Sequence, residues 1–409
     1  MKIRFSRLPL LVLPFLLAGC VMHTGSPRPT IPLVERIIND TQSPEYRFLS
    51  RYDASDSRGD IVILDAPARA LALSERLVAC DDRDNVDGKL APDQLPDFAG
   101  ERIVTILDIV YPPYARFVEA DNANALREVT VRAAINAVDT ACCLGPFDHE
   151  RRTSKPSAKL LILSSPYMAA FGGFDIDTLF RSTGAFVPVI SVPEAQMACV
   201  LDGRSGAVNI GILSDPQTAQ SGVYQTVFKE LARKRQDTYS TVTALSVPLE
   251  ATASDSSALS VVDPLQDGLK QILDEYSRAG KTGPLSALVV DDYGVCVDSL
   301  RSSYRRILNR PSEENAFYRK MLAKDFEILD GARIVTDACY RLLREKNLFT
   351  HNIAYPVAAA YITSPEAPSY MLMDFELSSL PAELMDEMQR TAPITSRLYV
   401  QDQYHTRGN

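Results

Sequence analysis

Acidic and hydroxyl side chains follow several apolar, strand-like segments of this sequence, close to the point where each segment ends. Asp65, Ser165 and Asp292 each stand within two residues of such an end. A carboxylate can take and return a proton, and a serine hydroxyl becomes a nucleophile when a base activates it. The three residues are therefore the candidate catalytic residues, provided that the fold brings them together.

Strand-like and helix-like segments alternate along the chain and must position these side chains. The apolar, strand-like segments cover residues 61–64, 103–107, 160–163, 187–192, 208–213, 287–290 and 326–329. Segments with helical periodicity lie between them, at residues 70–78, 125–138, 223–234, 268–278, 300–308 and 332–344. Continuous apolar strands separated by helices predict an α/β fold with mainly parallel sheets. Ligands bind beyond the carboxyl ends of such strands, where the three candidates stand.

The N-terminal segment has the pattern of a secretory signal. Lys2, Arg4 and Arg7 precede an apolar run over residues 8–17, which is too short to remain as a membrane-spanning helix. The run closes with Leu-Ala-Gly-Cys, which resembles the lipobox of bacterial lipoproteins. The resemblance implies that residues 1–19 are a signal peptide and that Cys20 is acylated. An ordinary signal peptide and a buried helix are the alternatives.

The residue after Cys20 bears on the membrane to which the protein is attached. It is Val21, where a signal for retention in the inner membrane would usually have aspartate. We therefore expect a lipid anchor in the outer membrane, facing the periplasm, with the inner membrane as the less favoured site. Residues 20–58 are interpreted as the lipidated cysteine and a tether, because much of this segment is rich in proline, threonine and serine.

The charge of the chain excludes one class of partner. Removal of residues 1–19, with their three positive charges, changes the formal net charge from −9 to −12. Such a surface repels nucleic acid, so nucleic acid is not an expected partner. The expected partners are a small acidic or amino-acid-like ligand and the membrane.

Six cysteines besides Cys20 are open to two interpretations. The periplasm permits disulfides, and the number is even, but buried thiols fit the sequence equally well. The six are Cys80, Cys142, Cys143, Cys199, Cys296 and Cys339.

The sequence offers no metal or cofactor motif. Its four histidines, His23, His149, His351 and His405, are scattered, which does not suggest a metal cluster or a catalytic triad. The acidic run at residues 81–88 lacks the alternating ligand spacing of a calcium loop and is interpreted as a solvated turn. We expect neither a metal nor a cofactor.

Four segments carry motifs whose order resembles that of a known family. They read "DIVILDAPARAL", "YPPYARF", "SDPQTAQSGVY" and "FEILDGARIVTDACYRLL". The first three are similar to the Asp-Ser-Gly, Pro-Tyr-Gly and Thr-x-x-x-Ser-Gly-x-Tyr turns of glutamate racemase and the wider aspartate/glutamate racemase family. The fourth is similar to the strand and helix that follow the second catalytic cysteine of that family.

The resemblance implies two doubly wound domains in a pseudo-twofold arrangement, with a central cleft for an acidic amino acid. It assigns the ligand-binding role to Tyr114, Thr218, Ser221 and Tyr224. From the residues alone, the segment around Thr218 and Ser221 is equally a helix cap after a proline turn. We expect residues 59–185 and 325–409 to form the first domain and residues 186–324 the second.

The chemistry departs from the family at both catalytic positions. The family shuttles a proton between two cysteine thiols on opposite faces of the α-carbon. Ser165 and Asp292 stand at these two positions, and a carboxylate with a pKa near 3.9 is a far weaker base than a thiolate with one near 8.5. Cys296, four residues beyond Asp292, can replace one thiol in a shifted register but not both.

Three functional hypotheses follow from this departure. The first is a racemase-like binding protein without two-thiol racemisation, whose ligand is amino-acid-like or derived from the cell wall. The second is an enzyme of the same superfamily, an isomerase or lyase that uses Asp65, Asp292 and Ser165. The third is an unrelated α/β lipoprotein, such as a periplasmic binding protein.

Overall fold

The computed structural model describes residues 29–145, 148–204, 206–235, 240–246, 267–281, 283–352, 354–364 and 390–393. The predicted signal peptide and Cys20 lie outside these residues. The strands of the described part are β1 (Asp60–Asp65), β2 (Arg102–Leu107), β3 (Ala141–Gly145), β4 (Asp148–Ser154), β5 (Ala158–Leu163), β6 (Val189–Ser191), β7 (Asn209–Leu213), β8 (Thr241–Leu245), β9 (Leu285–Val290), β10 (Leu322–Asp330), β11 (Val357–Ser364) and β12 (Arg390–Pro393).

Helices connect most of these strands. They are α1 (Pro32–Asn39), α2 (Pro44–Leu49), α3 (Pro67–Ala79), α4 (Ala115–Glu119), α5 (Ala123–Val138), α6 (Pro166–Thr183), α7 (Val192–Leu201), α8 (Pro216–Gln220), α9 (Val223–Arg235), α10 (Gly268–Arg278), α11 (Val297–Asn309), α12 (Glu313–Lys320) and α13 (Gly331–Glu345).

Two mainly parallel sheets form the framework of the protein. The first has the strand order β12-β11-β2-β1-β5-β6, in which only β12 is antiparallel to its neighbour, and the second has the parallel order β10-β9-β7-β8. Every residue of β1, β5 and β9 is buried, as expected of apolar strands covered on both faces. The predicted α/β fold class with mainly parallel sheets is confirmed. The short strands β3 and β4 form a separate antiparallel hairpin.

Proline determines where several helices begin. A proline occupies the first turn of α3, α6, α7 and α8, where its missing N–H is not needed and its fixed φ suits a helix. Each of these helices starts within three residues of the end of the preceding strand. The polar residues at the strand ends are thereby held in short turns at the carboxyl edges of the sheets.

The sheets divide the chain at other positions than the predicted domains. β6 pairs with β5 in the first sheet, although it falls in the segment assigned to the second domain. β10 pairs with β9 in the second sheet and ends at Asp330, so the return to the first sheet begins at α13. The division into domains remains a prediction. A division of the chain by its two sheets places the boundaries after residues 191 and 330.

Part of the segment interpreted as a tether is folded. Leu33, Val34 and Ile37 of α1 and Leu49 of α2 are buried in the core that also covers one face of the first sheet. These side chains recur on one face of α1, so the short apolar stretch at residues 33–38 is an amphipathic helix packed against α6. The expected tether therefore does not include residues 32–49, which are folded.

The described residues contain neither a disulfide nor a membrane-spanning helix. Cys80, Cys142, Cys143, Cys199, Cys296 and Cys339 all lie in the described part and form no disulfide with one another. In the same part of the chain, no helix combines the length and the apolar character that a membrane span requires.

Candidate functional site

The carboxyl ends of β1, β5 and β9 meet around a single arginine. Asp65 closes β1, Ser164 follows β5, and Asp291 follows β9 in the other sheet. Arg69 stands in the first half of α3 and extends between these strand ends, so that it contacts both sheets. Its guanidinium is the centre of the candidate site.

Arg69 is bonded on nearly every side. Its Nε donates to the carbonyl oxygen of Ser164 at 3.1 Å, and Nη1 donates to that of Asp291 at 2.7 Å. Nη2 lies 2.7 Å from both carboxylate oxygens of Asp291. Asp65 Oδ2 is 3.2 Å from Nε, and the ring of Tyr293 lies under the guanidinium with its centroid at 4.6 Å. The arginine thus joins the turns that follow β5 and β9, one from each sheet.

Asp291 is fully buried and is held from a second direction. Gln196 of α7 donates its side-chain amide to Oδ1 of Asp291. Gly331, the first residue of α13, allows this approach, because a Cβ there would lie 2.5 Å from the carbonyl oxygen of Val290 and 2.6 Å from Nε2 of Gln196. Only glycine therefore fits where α13 starts beside the site.

Burial changes the acidity of the carboxylates in this site. Desolvation raises the pKa of Asp65 to about 6, although Arg69 and the N–H of Ala66 favour the ionised form. Burial also raises the pKa of Asp291, against the opposing effects of Arg69 and Gln196. The hydroxyl of Ser164 lies beside Asp65 and Tyr293. A carboxyl group with a pKa near neutrality can exchange a proton at physiological pH.

Four buried polar atoms at or next to this centre have no hydrogen-bond partner among the described residues. They are Oδ2 of Asp65, Oγ of Ser164, Oγ of Ser191 at the end of β6, and Oε1 of Gln196. Buried polar atoms normally have a partner from the protein, ordered water or a ligand. These atoms can therefore accept hydrogen bonds from a small polar molecule.

Two of the three predicted catalytic residues, Ser165 and Asp292, lie beside the centre rather than in it. Ser165 is buried and caps α6, with its Oγ accepting the N–H of Met168 at 3.3 Å. Asp292 is half-buried, and its Oδ1 accepts the N–H of Gly294 at 3.0 Å. Asp65 contacts Arg69 directly. Ser164 and Asp291, which directly precede Ser165 and Asp292 in the chain, are bonded to Arg69.

The segment around Thr218 forms its own cap. Asp215 accepts the N–H of Thr218 at 2.9 Å, so a carboxylate of the chain itself caps the start of α8. Ser221 Oγ donates to the carbonyl oxygen of Thr218 at 2.7 Å and accepts the N–H of Val223. The structure therefore agrees with the helix-cap interpretation of these two residues. Both hydroxyls also lie beside the phenol of Tyr167, which follows Ser165 in α6.

The two predicted tyrosines are buried in the protein. Tyr114 donates its hydroxyl to Asp108 at 3.0 Å, which fixes the loop after β2, and burial raises its pKa well above the ordinary value. Tyr224 is fully buried in the core, and its hydroxyl has no hydrogen-bond partner among the described residues. The structure does not bring either residue into contact with Arg69.

Further ion pairs join the same elements along α3. Arg76, two turns after Arg69, pairs with Asp330 at 2.5 Å, and Asp330 also caps α13. After α3, Arg83 pairs with Asp337 of α13, and Asp82 accepts from Arg333 at 3.0 Å. These contacts tie α3 of the first sheet to the strand and helix that return from the second.

Cys296 is exposed at the start of α11. Hydrogen bonds from Ser299 lower the pKa of its thiol.

Within the described residues, no group of three or more His, Cys, Asp or Glu side chains is arranged to hold a metal ion.

Comparison with known proteins gives similar structures but no family. No protein-family model and no curated protein matches the sequence. Glutamate racemase RacE1 from Bacillus anthracis is 19% identical, with a TM-score of 0.42 over 75% of this chain and 90% of that chain. Glutamate racemase from Francisella tularensis, solved in complex with D-glutamate, is 16% identical, with a TM-score of 0.42 over 78% and 95%. Glutamate racemase from Aquifex pyrophilus is 15% identical, with a TM-score of 0.39 over 79% and 96%. No family assignment follows from these values.

Replacement of Arg69 tests whether the central ion pair holds the two sheets. Arg69→Met leaves the buried carboxylate of Asp291 without its main partner, so the free energy of unfolding should fall by about 3–5 kcal/mol. The matched control is Arg76→Met, because the side chain of Arg76 is 54% exposed. Its loss should be about 0–1 kcal/mol. Urea denaturation measures both, and equal losses would contradict a special role for Arg69.

The pH dependence of stability tests the environment of Asp65. Its folded pKa is about 6, above the ordinary 3.8. Between these values the folded state keeps a proton that the unfolded chain loses, so this contribution to stability falls as pH rises. In Asp65→Asn the contribution is absent, and the stability of the variant relative to wild type should rise by at most about 3 kcal/mol between about pH 4 and pH 7. Urea denaturation at both pH values measures the change, and a constant difference would refute the assignment.

Proposed function

We propose that the protein binds a small amino-acid-like ligand at the Arg69 centre and does not racemise it through two thiols. The observation that carries the proposal is the guanidinium of Arg69, which is bonded to Ser164 on one side and Asp291 on the other. Ser165 and Asp292 stand where the resemblance requires thiols, and Ser165 is committed to capping α6. The site therefore has hydrogen-bonding groups without the proton-transferring pair.

The charge of the centre favours a particular kind of ligand. The carboxyl groups of Asp65 and Asp291 contact the cation Arg69, and that of Asp292 follows directly in the chain. Above about pH 6 Asp65 also becomes ionised, so the region is negative and attracts an ammonium group. A ligand with one carboxylate and at least one ammonium group fits better than an acidic amino acid, which carries a second carboxylate. Amino acids with neutral or basic side chains and cell-wall peptides with a free amine have this chemistry.

A second candidate function is supported by Asp65 itself. A pKa of about 6 is suitable for a general base that works near neutral pH, and the residue is buried beside Ser164 and Tyr293. An enzyme of the racemase superfamily that uses Asp65 in place of a thiol would have this arrangement. Hydrogen exchange at the α-carbon of the ligand distinguishes the two functions.

Ligand binding and exchange are tested on the full chain in detergent micelles. Calorimetry with L- and D-alanine, lysine and glutamate should show tighter binding of alanine or lysine than of glutamate. Asp292→Asn should weaken binding by about tenfold, because a half-buried carboxylate that contacts an ammonium group is lost. Asp298→Asn is the matched control, since this aspartate is 85% exposed at the start of α11. Equal affinities for the two variants would contradict the proposed site.

Nuclear magnetic resonance in deuterium oxide follows the α-hydrogen of the bound amino acid in the same samples. Retention of this hydrogen supports the binding function. Exchange that is lost in Asp65→Asn would instead support the enzyme, and racemisation that survives in Asp65→Asn would remove both assignments.

We further propose that the protein is attached to the outer membrane through lipid on Cys20 and faces the periplasm. The proposal is supported by the basic residues, apolar run and Leu-Ala-Gly-Cys ending of residues 1–20. A single acyl chain binds membranes only weakly, and the two or more chains of a bacterial lipoprotein give stable attachment.

Substitution of Cys20 tests the anchor in cells. Wild-type protein should incorporate labelled palmitate and appear in the outer-membrane fraction, whereas Cys20→Ser should incorporate none and leave that fraction. Cys296→Ser serves as the control, because this exposed cysteine lies outside the signal. Palmitate labelling that persists in Cys20→Ser would contradict the proposal.

A further inference from the structure

A pocket opens at the opposite edge of the first sheet from Arg69. It lies between α2, the end of α5 and the beginning of β5, and its volume is about 880 Å³. Small-molecule sites commonly have volumes of about 300–1,000 Å³. Ala158 and Lys159 at the start of β5 line this pocket, whereas Ser164 beyond the end of β5 contacts Arg69. The two sites are therefore separated by the length of the strand.

Cationic side chains predominate in the lining of the pocket. The charged lining residues are the cations Arg47, Arg51, Arg58, Lys155 and Lys159 and the anions Asp53 and Asp56. Two of the cations are neutralised within the protein: Lys159 pairs with Glu101 at 2.6 Å, and Arg58 pairs with Asp56 at 2.9 Å. Arg51 is exposed and has no side-chain partner among the described residues. The remaining lining charge is positive.

Lys155 is a buried cation that lacks a counter-ion. Its residue is 7% exposed, and its Nζ donates to the carbonyl oxygens of Ala137 at 3.0 Å and Pro156 at 3.4 Å. Within the described part of the chain, no carboxylate lies within ion-pair distance of this ammonium group. A buried charge without a partner is costly, and desolvation lowers the pKa of Lys155 to about 8.

The charged groups that face Lys155 do not neutralise its positive charge. Asp139 after α5 and Asp60 of β1 act on it from a distance, but Asp139 pairs with Arg152 at 2.8 Å and Asp60 pairs with Arg102 at 2.7 Å. Cys142 of β3 is the remaining titratable neighbour. An anion in the pocket would supply the missing counter-charge and accept the third N–H of the ammonium group.

Apolar side chains form the rest of the wall. Phe48 and Tyr52 from the α2 segment face the pocket together with Val138 and Pro156. Burial raises the pKa of Tyr52 above its ordinary value, so its phenol stays neutral. A ligand that fills this space therefore needs an apolar group as well as an anionic one.

We propose that this pocket binds a small molecule in which a phosphate or carboxylate is attached to an apolar group, with the oxyanion held by Lys155 and Arg51. The site is independent of the Arg69 centre and of its proposed ligand. The two oxyanions share the chemistry that the cations recognise, and the choice between them is settled by binding measurements.

The test uses phenyl phosphate, benzoate and inorganic phosphate as probes of the full chain in detergent micelles. Isothermal titration calorimetry should show saturable binding of phenyl phosphate or benzoate and much weaker binding of inorganic phosphate, which has no apolar group. The tighter of the two organic probes identifies the oxyanion. Saturable binding of neither probe would overturn the proposal, and equal binding of inorganic phosphate would overturn the apolar part of it.

Two variants assign the binding to the proposed residues. Arg51→Gln should weaken binding of the tighter probe by about tenfold, because one charged hydrogen-bond donor is lost. Arg278→Gln, a change of another exposed arginine at the end of α10, should leave the affinity unchanged. Lys155→Met should abolish binding if the variant folds, and Arg51→Gln alone decides the question if it does not. Equal affinities of wild type and Arg51→Gln would overturn the assignment.

Discussion

The ion pair between Arg69 and Asp291 is the interaction on which the arrangement of the two sheets depends. Asp291 is completely buried after β9, and its charge can be tolerated there only because Arg69 from the other sheet is bonded to both of its oxygens. The same guanidinium holds the carbonyl oxygens of Ser164 and Asp291, so the backbones at the ends of β5 and β9 are fixed relative to each other. Arg69 also contacts Asp65, whose pKa is raised by burial in spite of this favourable contact.

The sequence indicated the strand ends that face each other but not the residues in contact there. Within one sheet, parallel strands deliver their carboxyl ends to one edge, so the polar residues after β5 and β9 could be assigned to the carboxyl edges of their sheets, and the family resemblance placed the two edges together. Which of the polar residues after each strand faces the centre could not be predicted, because a shift of one residue at the end of a strand reverses the direction of the side chain. Arg69 was not recognised, although it lies one helical turn after Asp65 and pairs with it, since a charged residue on a helix usually faces solvent.

Three of the elements that were not predicted have local sequences that weaken the usual signals. β8 and β11 have few large apolar residues: β11 reads Val-Ala-Ala-Ala-Tyr-Ile-Thr-Ser, and alanine favours strands only weakly. α6 contains two adjacent glycines, which normally disfavour a helix. Gly172 is nevertheless required, because a Cβ there would lie 2.3 Å from Cβ of Thr130 on α5. The close packing of these two helices is a tertiary effect and cannot be derived from local preference.

The buried ion pairs of Lys159 with Glu101 and of Arg69 with Asp291 lie at opposite edges of the first sheet, and they differ in their hydrogen bonding. At the amino edge, Lys159 donates to Glu101 and to the carbonyl oxygens of Ser57 and Leu348, and Glu101 also accepts the N–H of Thr350, so this pair is satisfied from within. At the carboxyl edge, the pair of Arg69 and Asp291 adjoins the hydroxyl of Ser191 and the amide oxygen of Gln196, which have no hydrogen-bond partner in the described part of the chain. A closed network contributes stability and specifies packing, whereas a network with unused acceptors can gain hydrogen bonds when a polar molecule enters. The pair at the carboxyl edge therefore adjoins unused hydrogen-bond acceptors, whereas the more deeply buried pair at the amino edge does not.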